Sequence, residues 1–249
     1  MPTLIELFSG TGSIGKAFKS FGWDVVSVDI SDQHRPTHCV DIRRFDYKSL
    51  YRPGDIDFVW ASPPCTEYSI ARTTAKRPRD LAGADELVQL TKDIIAYYDC
   101  PFAFENPQSG LLKTRQVVAD VPFTDTSYCK YGYPYRKHTR IWHSLGDHLQ
   151  VRPQCNSREP CDVVRAHGKH LMTAQRGPGK RRGDVRIKSD TCSLNQLHSI
   201  PPCLCHEIAL AADLLYSIND TELSLQLLLE VPSEDSQEGV FPDEGEPQL

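Results

Sequence analysis

The chain has 249 residues, which is long enough for one sizeable α/β domain, and its 39% of hydrophobic and 24% of charged residues are typical of a globular protein. No apolar run approaches the roughly 18 residues of a bilayer-spanning helix, and the N-terminus lacks the basic stretch of a secretory signal. Nine cysteines without a regular spacing favour free thiols in a reducing compartment. We therefore expect an intracellular protein that does not contact membranes.

The net charge of −5 has its origin at the C-terminus. Residues 231–249 hold six acidic residues and no basic one, so 27 of the 33 acidic residues and all 28 basic residues precede them. We expect residues 219–249 to form an acidic, disordered tail. The run RGPGKRRGDVRIK at 176–188 holds six Lys and Arg residues, and it indicates either a solvated loop or a surface that contacts phosphates.

The N-terminal part of the chain alternates between strand and helix patterns. TLIELF (3–8) predicts a short buried strand, followed by the glycine-rich turn SGTGS and an amphipathic helix up to about Phe21. WDVVSVDI (23–30) and IDFVWAS (56–62) predict two further buried strands, and residues 83–99 have the apolar spacing of a helix.

The remainder adds a strand at PFAFENP (101–107), a loop at 127–142 that leads to a last strand, and a helix within 198–218 that begins at two prolines. Alternating strands and helices predict the α/β class with a mostly parallel, doubly wound sheet. In such sheets ligands bind beyond the carboxyl ends of the strands. The residues that follow each strand are therefore the candidate site residues.

The turn after the first predicted strand carries a cofactor-binding pattern. Gly10, Gly12 and Gly15 match G-x-G-x-x-G between a strand and a helix, where glycines let the backbone approach a cofactor. Asp29, at the end of the next strand, can accept hydrogen bonds from ribose hydroxyls. The pattern fits both nicotinamide cofactors and S-adenosylmethionine (SAM), and a tight turn without a ligand is the structural alternative.

Two reactive groups follow later strands. Cys65 stands behind two prolines, and Glu105 ends an apolar strand, where a carboxylate is costly to bury unless it is paired or protonated. A turn cysteine and a solvated acid are the structural alternatives. Zinc deaminases also carry a Pro-Cys pair, but their second cysteine is replaced by Tyr68 here and no H-x-E precedes it. The sequence therefore predicts that a thiol, an acid and a cofactor turn meet in one cleft.

Several motifs stand in the order known from one enzyme family. ELFSGTG, an acid after the second strand, ASPPC, ENP and a Tyr-Gly-x-Pro segment leading to TRIW resemble the motifs of the C5-cytosine DNA methyltransferases. The resemblance covers about residues 3–143 and returns near 200–217. It implies a Rossmann-like, SAM-dependent methyltransferase fold with a small inserted recognition region, SAM as the cofactor and DNA as the partner.

The resemblance also implies roles for single residues. Cys65 would add to carbon 6 of a cytosine flipped out of the duplex, Glu105 would act at ring nitrogen 3, and Arg140 would lie beside the base and the thiolate. Asp29 would hold the ribose of SAM and Asp41 its adenine amino group. The full set implied for the cofactor side is Phe8, Gly10, Gly12, Asp29, Asp41 and Pro64.

The chain departs from the family towards its C-terminus. The family's Q-x-R-x-R motif is replaced by Tyr135-Arg-Lys-His-Thr-Arg140, and the motif that supports the recognition region has no clear counterpart. We expect a catalytic domain at 1–145, a recognition region at 146–195 and a helix at 196–218 that returns to the catalytic domain. Sequence specificity in so small a region could be short, relaxed or supplied by a partner.

The predicted recognition region also raises the question of a metal. Cys155, Cys161, His167 and His170 could hold zinc, although their spacing is not that of a standard finger. The alternative is a set of separate thiols and surface histidines. From the sequence we assign no metal site.

The predicted function is that of a DNA (cytosine-5)-methyltransferase, placed in the cytoplasm or nucleus where DNA is accessible. An RNA cytosine-5 methyltransferase and a catalytically silent, methyltransferase-like DNA-binding module remain alternatives. An NAD-dependent dehydrogenase is disfavoured, because nothing in its chemistry requires PPC and FENP together.

Overall fold

The computed structural model describes residues 1–70, 72, 77–174 and 194–229. The predicted basic run at 176–188 and residues 230–249 of the predicted tail lie outside them. The chain divides into two units, Met1–Tyr216 and Ser217–Leu249. The sheet and the candidate site belong to the first unit.

Strands and helices alternate through the first unit, in agreement with the sequence patterns. The strands are β1 (Thr3–Leu7), β2 (Asp24–Asp29), β3 (His38–Cys39), β4 (Phe58–Ala61), β5 (Phe102–Pro107), β6 (Phe123–Ser127) and β7 (His138–His143). The α-helices are α1 (Ser13–Ser20), α2 (Tyr47–Leu50), α3 (Leu81–Tyr98), α4 (Asp162–His167), α5 (Leu194–His198) and α6 (Pro202–Leu229).

The strands of the described residues form one mixed sheet in the order β3-β2-β1-β4-β5-β7-β6. β7 runs antiparallel to both of its neighbours, whereas β1 to β5 pair in parallel. The chain winds outward from β1 to β3 and then crosses to β4, so the direction of winding reverses between β1 and β4. Doubly wound sheets bind ligands at such a switch point. The predicted fold class is confirmed.

Both faces of the sheet are covered, which explains why the central strands are mostly apolar. Every residue of β4 is buried, as are four of the five residues of β1. The core layer that contains α1 and the start of α6 includes Phe18 and Phe58. The layer that contains α3 includes Val88 and Phe104.

Helix α6 begins beside the N-terminal part of the chain. Trp23 Nε1 donates to Asp213 Oδ1 at 2.9 Å, and the backbone N–H of Ile200 donates to Ser13 Oγ at 3.3 Å. The helix continues to Leu229, so the prediction that a disordered tail begins at 219 is wrong for residues 219–229. That stretch is rich in leucine and has neither proline nor glycine, and a helix tolerates it well. None of the helices in the described part of the chain is both long and apolar enough to cross a bilayer.

Two outer strands were not predicted. β3 has only two residues, too few for a hydrophobic period to be visible. β6 has the sequence FTDTS, whose acid and hydroxyl side chains hide the alternation of an edge strand. Both lie at the edges of the sheet, where apolar burial on two faces is not required.

Helix α1 lies so close to the sheet that position 15 has no room for a side chain. A Cβ atom on Gly15 would lie 2.6 Å from Glu6 Oε2 and 2.9 Å from Val25 Cγ1. Both distances are far below van der Waals contact. The third glycine of the G-x-G-x-x-G pattern therefore permits close packing of helix on strand.

We predict that Gly15→Ala lowers the free energy of unfolding by about 1–3 kcal/mol, because the methyl group must push α1 away from the sheet. Denaturant titration measures the change. Ser20→Ala, at the exposed end of the same helix, is the control and should alter stability by less than about 0.5 kcal/mol. Equal stabilities of the two variants would contradict the close packing.

Candidate active site

A cavity of about 370 Å³ lies at the switch point, where the carboxyl ends of β1, β2, β4 and β5 meet. Small-molecule sites have volumes of about 300–1,000 Å³. Much of the wall comes from the segments that the sequence patterns selected, namely the ends of these four strands and the residues that follow them. The predicted site residues among the walls are Phe8, Gly10, Asp29, Asp41, Pro64, Cys65 and Glu105.

Asp29 holds the turn after β1 in place. The backbone N–H of Gly10 donates to Asp29 Oδ2 at 2.8 Å, and that of Ser31 donates to Asp29 Oδ1 at 2.8 Å. Phe8 has a φ of 52°, a left-handed conformation that is costly for an aromatic residue and that recurs at ligand sites. Each oxygen of Asp29 can accept a second hydrogen bond, so a ligand hydroxyl can bind here.

Gly12 and Asp41 both precede short helical segments. Gly12 is the residue before α1, with a φ of 65°, and the described lining of the cavity does not include it. Its predicted contact with the cofactor stays a prediction. Asp41 lines the cavity, and its Oδ1 accepts from the backbone N–H of Arg43 at 3.0 Å at the start of a 3₁₀ helix.

The loop after β4 presents Cys65 from a fixed base. The carbonyl of Pro63 accepts a buried hydrogen bond from Asn106 Nδ2 at 2.8 Å. On the other side of Cys65, the buried Tyr68 donates its hydroxyl to Asp85 Oδ1 at 2.8 Å. Because proline also restricts the backbone, the half-buried thiol is held from both sides.

Glu105 is 9% exposed at the end of β5 and faces the cavity. Among the described residues, its Oε2 has no hydrogen-bond partner. A buried polar atom that lacks a partner costs about 1–3 kcal/mol. This oxygen is therefore available to a ligand in the cavity.

Two charged groups of the cavity, Lys137 and Glu105, affect the pKa of the Cys65 thiol. Burial raises the pKa of the Cys65 thiol above its usual value; the Lys137 ammonium group opposes this, and the Glu105 carboxylate adds to it. The thiolate is the nucleophilic form of cysteine. Reactivity of Cys65 therefore depends on the balance between one cation and one anion in the same cavity.

Comparison with known proteins decides the family. Residues 3–99 match the family model of the C-5 cytosine-specific DNA methylases. The chain is 30% identical over 202 residues to the "Probable DNA (cytosine-5)-methyltransferase" of Frog virus 3 (isolate Goorha), and the alignment covers 74% of this chain and 91% of that protein. The chain belongs to the C-5 cytosine-specific DNA methylase family. The resemblance inferred from the motifs is confirmed.

Two solved structures are also similar to this C-5 methylase. The methyltransferase EhMeth of Entamoeba histolytica is 16% identical with a TM-score of 0.46, and the match covers 63% of this chain and 58% of that one. A candidate DNA modification methyltransferase encoded within an E. coli prophage is 19% identical with a TM-score of 0.40, with 61% and 49% covered. The chain spans about half the length of these two proteins.

Arg140 does not lie beside Cys65, where the C-5 methylase motifs predicted it. Its Nε and Nη2 donate to Asp125 Oδ1 and Oδ2 at 2.7 and 2.8 Å. Arg140 stands opposite Asn106 in the β5–β7 pair, whereas Glu105 stands opposite Ile141. Neighbouring residues of a strand point to opposite faces, so the side chains of Arg140 and Glu105 leave the sheet on different faces. The placement of Arg140 beside the thiolate is corrected: it forms an ion pair and is not among the described lining residues.

Sequence reasoning missed several residues of the described lining, among them Lys137 and Glu6. Lys137 precedes β7, lines the cavity and supplies the positive charge near Cys65. The cluster of cations in the segment 135–140 was its signal. Glu6 is a buried acid of β1 that also lines the cavity; burial raises its pKa to about 7, and backbone N–H groups at the start of α1 oppose the shift. An acid within the apolar strand TLIELF was the signal for Glu6.

The balance of charges predicts opposite effects of two substitutions on the alkylation of Cys65. The rate of reaction with iodoacetamide should rise with pH as the thiolate forms through its raised pKa. Lys137→Met removes the group that lowers this pKa, so the profile should move to higher pH. Glu105→Gln removes the repulsion, so the profile should move to lower pH.

The rates are read by mass spectrometry of the peptide that contains Cys65, because the chain has other free thiols. Lys113→Met, at an exposed position outside the described lining, is the control and should leave the profile unchanged. Shifts of Lys137→Met and Glu105→Gln in the same direction would refute the assignment of charges.

Proposed function

We propose that this C-5 methylase transfers a methyl group from SAM to carbon 5 of a DNA cytosine, through a covalent bond between Cys65 and the base. One observation carries the proposal. A held thiol, a lysine and a buried carboxyl oxygen without a partner among the described residues line the same cavity. Membership of the family supports the class of reaction.

The residues at the ends of β1 and β2 fit SAM. Asp29 would accept hydrogen bonds from the ribose hydroxyls, and Asp41 would accept one from the adenine amino group. Phe8 and Ile42 add apolar wall, and Pro64 shapes the side that faces the target base. When bound, SAM supplies an electrophilic methyl group on a positively charged sulfur. The carboxylates of this wall suit that charge.

The residues at the ends of β4 and β5 would activate cytosine, whose carbon 5 is a weak nucleophile. The Cys65 thiolate adds to carbon 6 and forms a C–S bond, while the ring electrons move towards nitrogen 3. Glu105 donates a proton to that nitrogen, which leaves carbon 5 enamine-like and able to take the methyl group. Methyl transfer would leave S-adenosylhomocysteine, and nitrogen 3 returns its proton to Glu105. A water molecule then takes the proton from carbon 5, and the electrons of that C–H bond form the double bond between carbons 5 and 6 and expel the thiolate.

The acid and the nucleophile assist each other in this scheme. Glu105 must carry a proton in order to donate it, and a neutral Glu105 no longer raises the pKa of Cys65. The protonation state that prepares the acid therefore also favours the thiolate. Lys137 stabilises the single negative charge that remains.

The target base must leave the duplex to reach Cys65, at a cost of roughly a few kcal/mol. We propose that the recognition region, residues 146–195, contacts the DNA and that the basic run at 176–188 binds its phosphates. That run lies outside the described residues, so its contacts stay a prediction from composition.

We predict that a duplex with 5-fluorocytosine at the target positions traps the protein as a denaturation-stable adduct in the presence of SAM. Fluorine on carbon 5 cannot leave as a proton does, so the C–S bond persists. Cys65→Ser should give no adduct. Cys100→Ser removes a half-buried thiol outside the described lining and should trap normally. Gel electrophoresis and intact-protein mass spectrometry measure the adduct.

Three outcomes would contradict this prediction. An adduct with Cys65→Ser would exclude Cys65 as the nucleophile. Binding of SAM and DNA by the wild type without any adduct would indicate a silent binding module. Trapping on a 5-fluorocytosine RNA but not on the duplex would make RNA the substrate.

A further inference from the structure

Three cysteines and a histidine lie together outside the described lining of the cavity. The side-chain ligand atoms of Cys129, Cys155, Cys161 and His170 all lie within 4.8 Å of one another. The three thiols are free, and each is at most 3% exposed. Buried thiols from two distant parts of the chain thus converge on a partly buried imidazole.

The spacing of these atoms suits a tetrahedral zinc ion. Zn–S bonds of about 2.3 Å and Zn–N bonds of about 2.0–2.1 Å, at tetrahedral angles, place neighbouring ligand atoms about 3.5–3.8 Å apart. His170 Nε2 lies 3.7 Å from Cys155 Sγ and 3.5 Å from Cys161 Sγ. The side chains need little movement to bind the ion.

The chemical types of the four ligands indicate which metal ion would bind. Thiolate ligands favour zinc over the hard cations Mg²⁺ and Ca²⁺, and three cysteines with one histidine form a closed set typical of structural zinc. The backbone N–H of Cys161 also donates to Cys155 Sγ at 3.3 Å. Such outer contacts orient metal ligands.

We propose that Cys129, Cys155, Cys161 and His170 bind one structural zinc ion, which fastens the segment 155–170 to the catalytic sheet. This segment has little core of its own, because α4 contains no buried residue. The apolar residues that pack against the three cysteines are Val163 and Val164, both only partly buried. A metal ion supplies the cross-link that such a small segment otherwise lacks.

The ligand set differs from the one that the sequence left open. His167 is exposed at the end of α4 and does not belong to the described cluster. Its place is taken by Cys129, which lies in the 3₁₀ helix Tyr128–Tyr131 directly after β6. The site therefore joins the predicted recognition region to the sheet, and not only to itself.

The same 3₁₀ helix connects the metal cluster to the cavity. The backbone N–H of Tyr128 donates to the carbonyl of Lys137 at 3.0 Å, and Lys137 Nζ lies 4.5 Å from the centre of the Tyr128 ring. Zinc bound at the adjacent Cys129 would therefore restrict the movement of Tyr128, against which Lys137 packs.

Metal analysis of the full-length protein tests the proposal. Protein purified without chelators from zinc-supplemented cells should contain one zinc ion per chain. X-ray absorption at the zinc edge should show three sulfur ligands and one nitrogen. Cys129→Ser and Cys161→Ser should lose most of the zinc, whereas His167→Ala and Cys100→Ser should retain it.

The absorption measurement uses the wild type, so it holds even if a cysteine variant does not fold. Wild-type protein without zinc after incubation with ZnCl₂ would overturn the proposal. So would two sulfur ligands with two nitrogens, or zinc loss in His167→Ala with retention in Cys129→Ser. Each readout is independent of methyl transfer, so failure here would leave the proposed function untouched.

Discussion

The buried hydrogen bond from Asn106 Nδ2 to the carbonyl of Pro63 joins the two strand ends on which the candidate chemistry depends. Pro63 begins the loop that carries Cys65, and Asn106 directly follows Glu105. Parallel pairing of β4 with β5 brings both ends to one edge of the sheet, but pairing alone would leave the loop free to move. The hydrogen bond removes that freedom, and its burial protects it from competition with water. The thiol and the acid are therefore positioned before any ligand binds.

The same closeness creates an electrostatic constraint. Burial and the Glu105 carboxylate both raise the pKa of Cys65, so two negative charges in the cavity are unfavourable. Lys137 offsets one of these charges. The proposed addition to a cytosine ring therefore requires that Glu105 carries a proton while Cys65 is a thiolate, so that a single negative charge lies beside Lys137.

The sequence predicted the residues that follow buried strands, because a parallel sheet collects those ends at one edge. Cys65 and Glu105 could be found in this way. The position of Arg140 could not be predicted from the sequence. The face of the sheet on which its side chain lies depends on the register of β5 against β7, and a shift of one residue would move the side chain to the opposite face. Lys137 precedes that strand and took the position expected for Arg140. Cys129 escaped notice because the other members of the proposed zinc site come much later in the chain, and a sequence pattern reveals only ligands that are close in sequence.

The central claim is that Cys65 and Glu105 act on carbon 5 as one unit. Release of tritium from DNA labelled at carbon 5 of cytosine, with SAM present, measures activation of that carbon directly. The assay compares four proteins, each of which has first been shown to bind SAM. They are the wild type, Cys65→Ser, Glu105→Gln and the double variant. Groups that act together give non-additive losses, so the double variant should release tritium no more slowly than Cys65→Ser alone. Losses that multiply in the double variant, or undiminished release by Cys65→Ser, would contradict the claim.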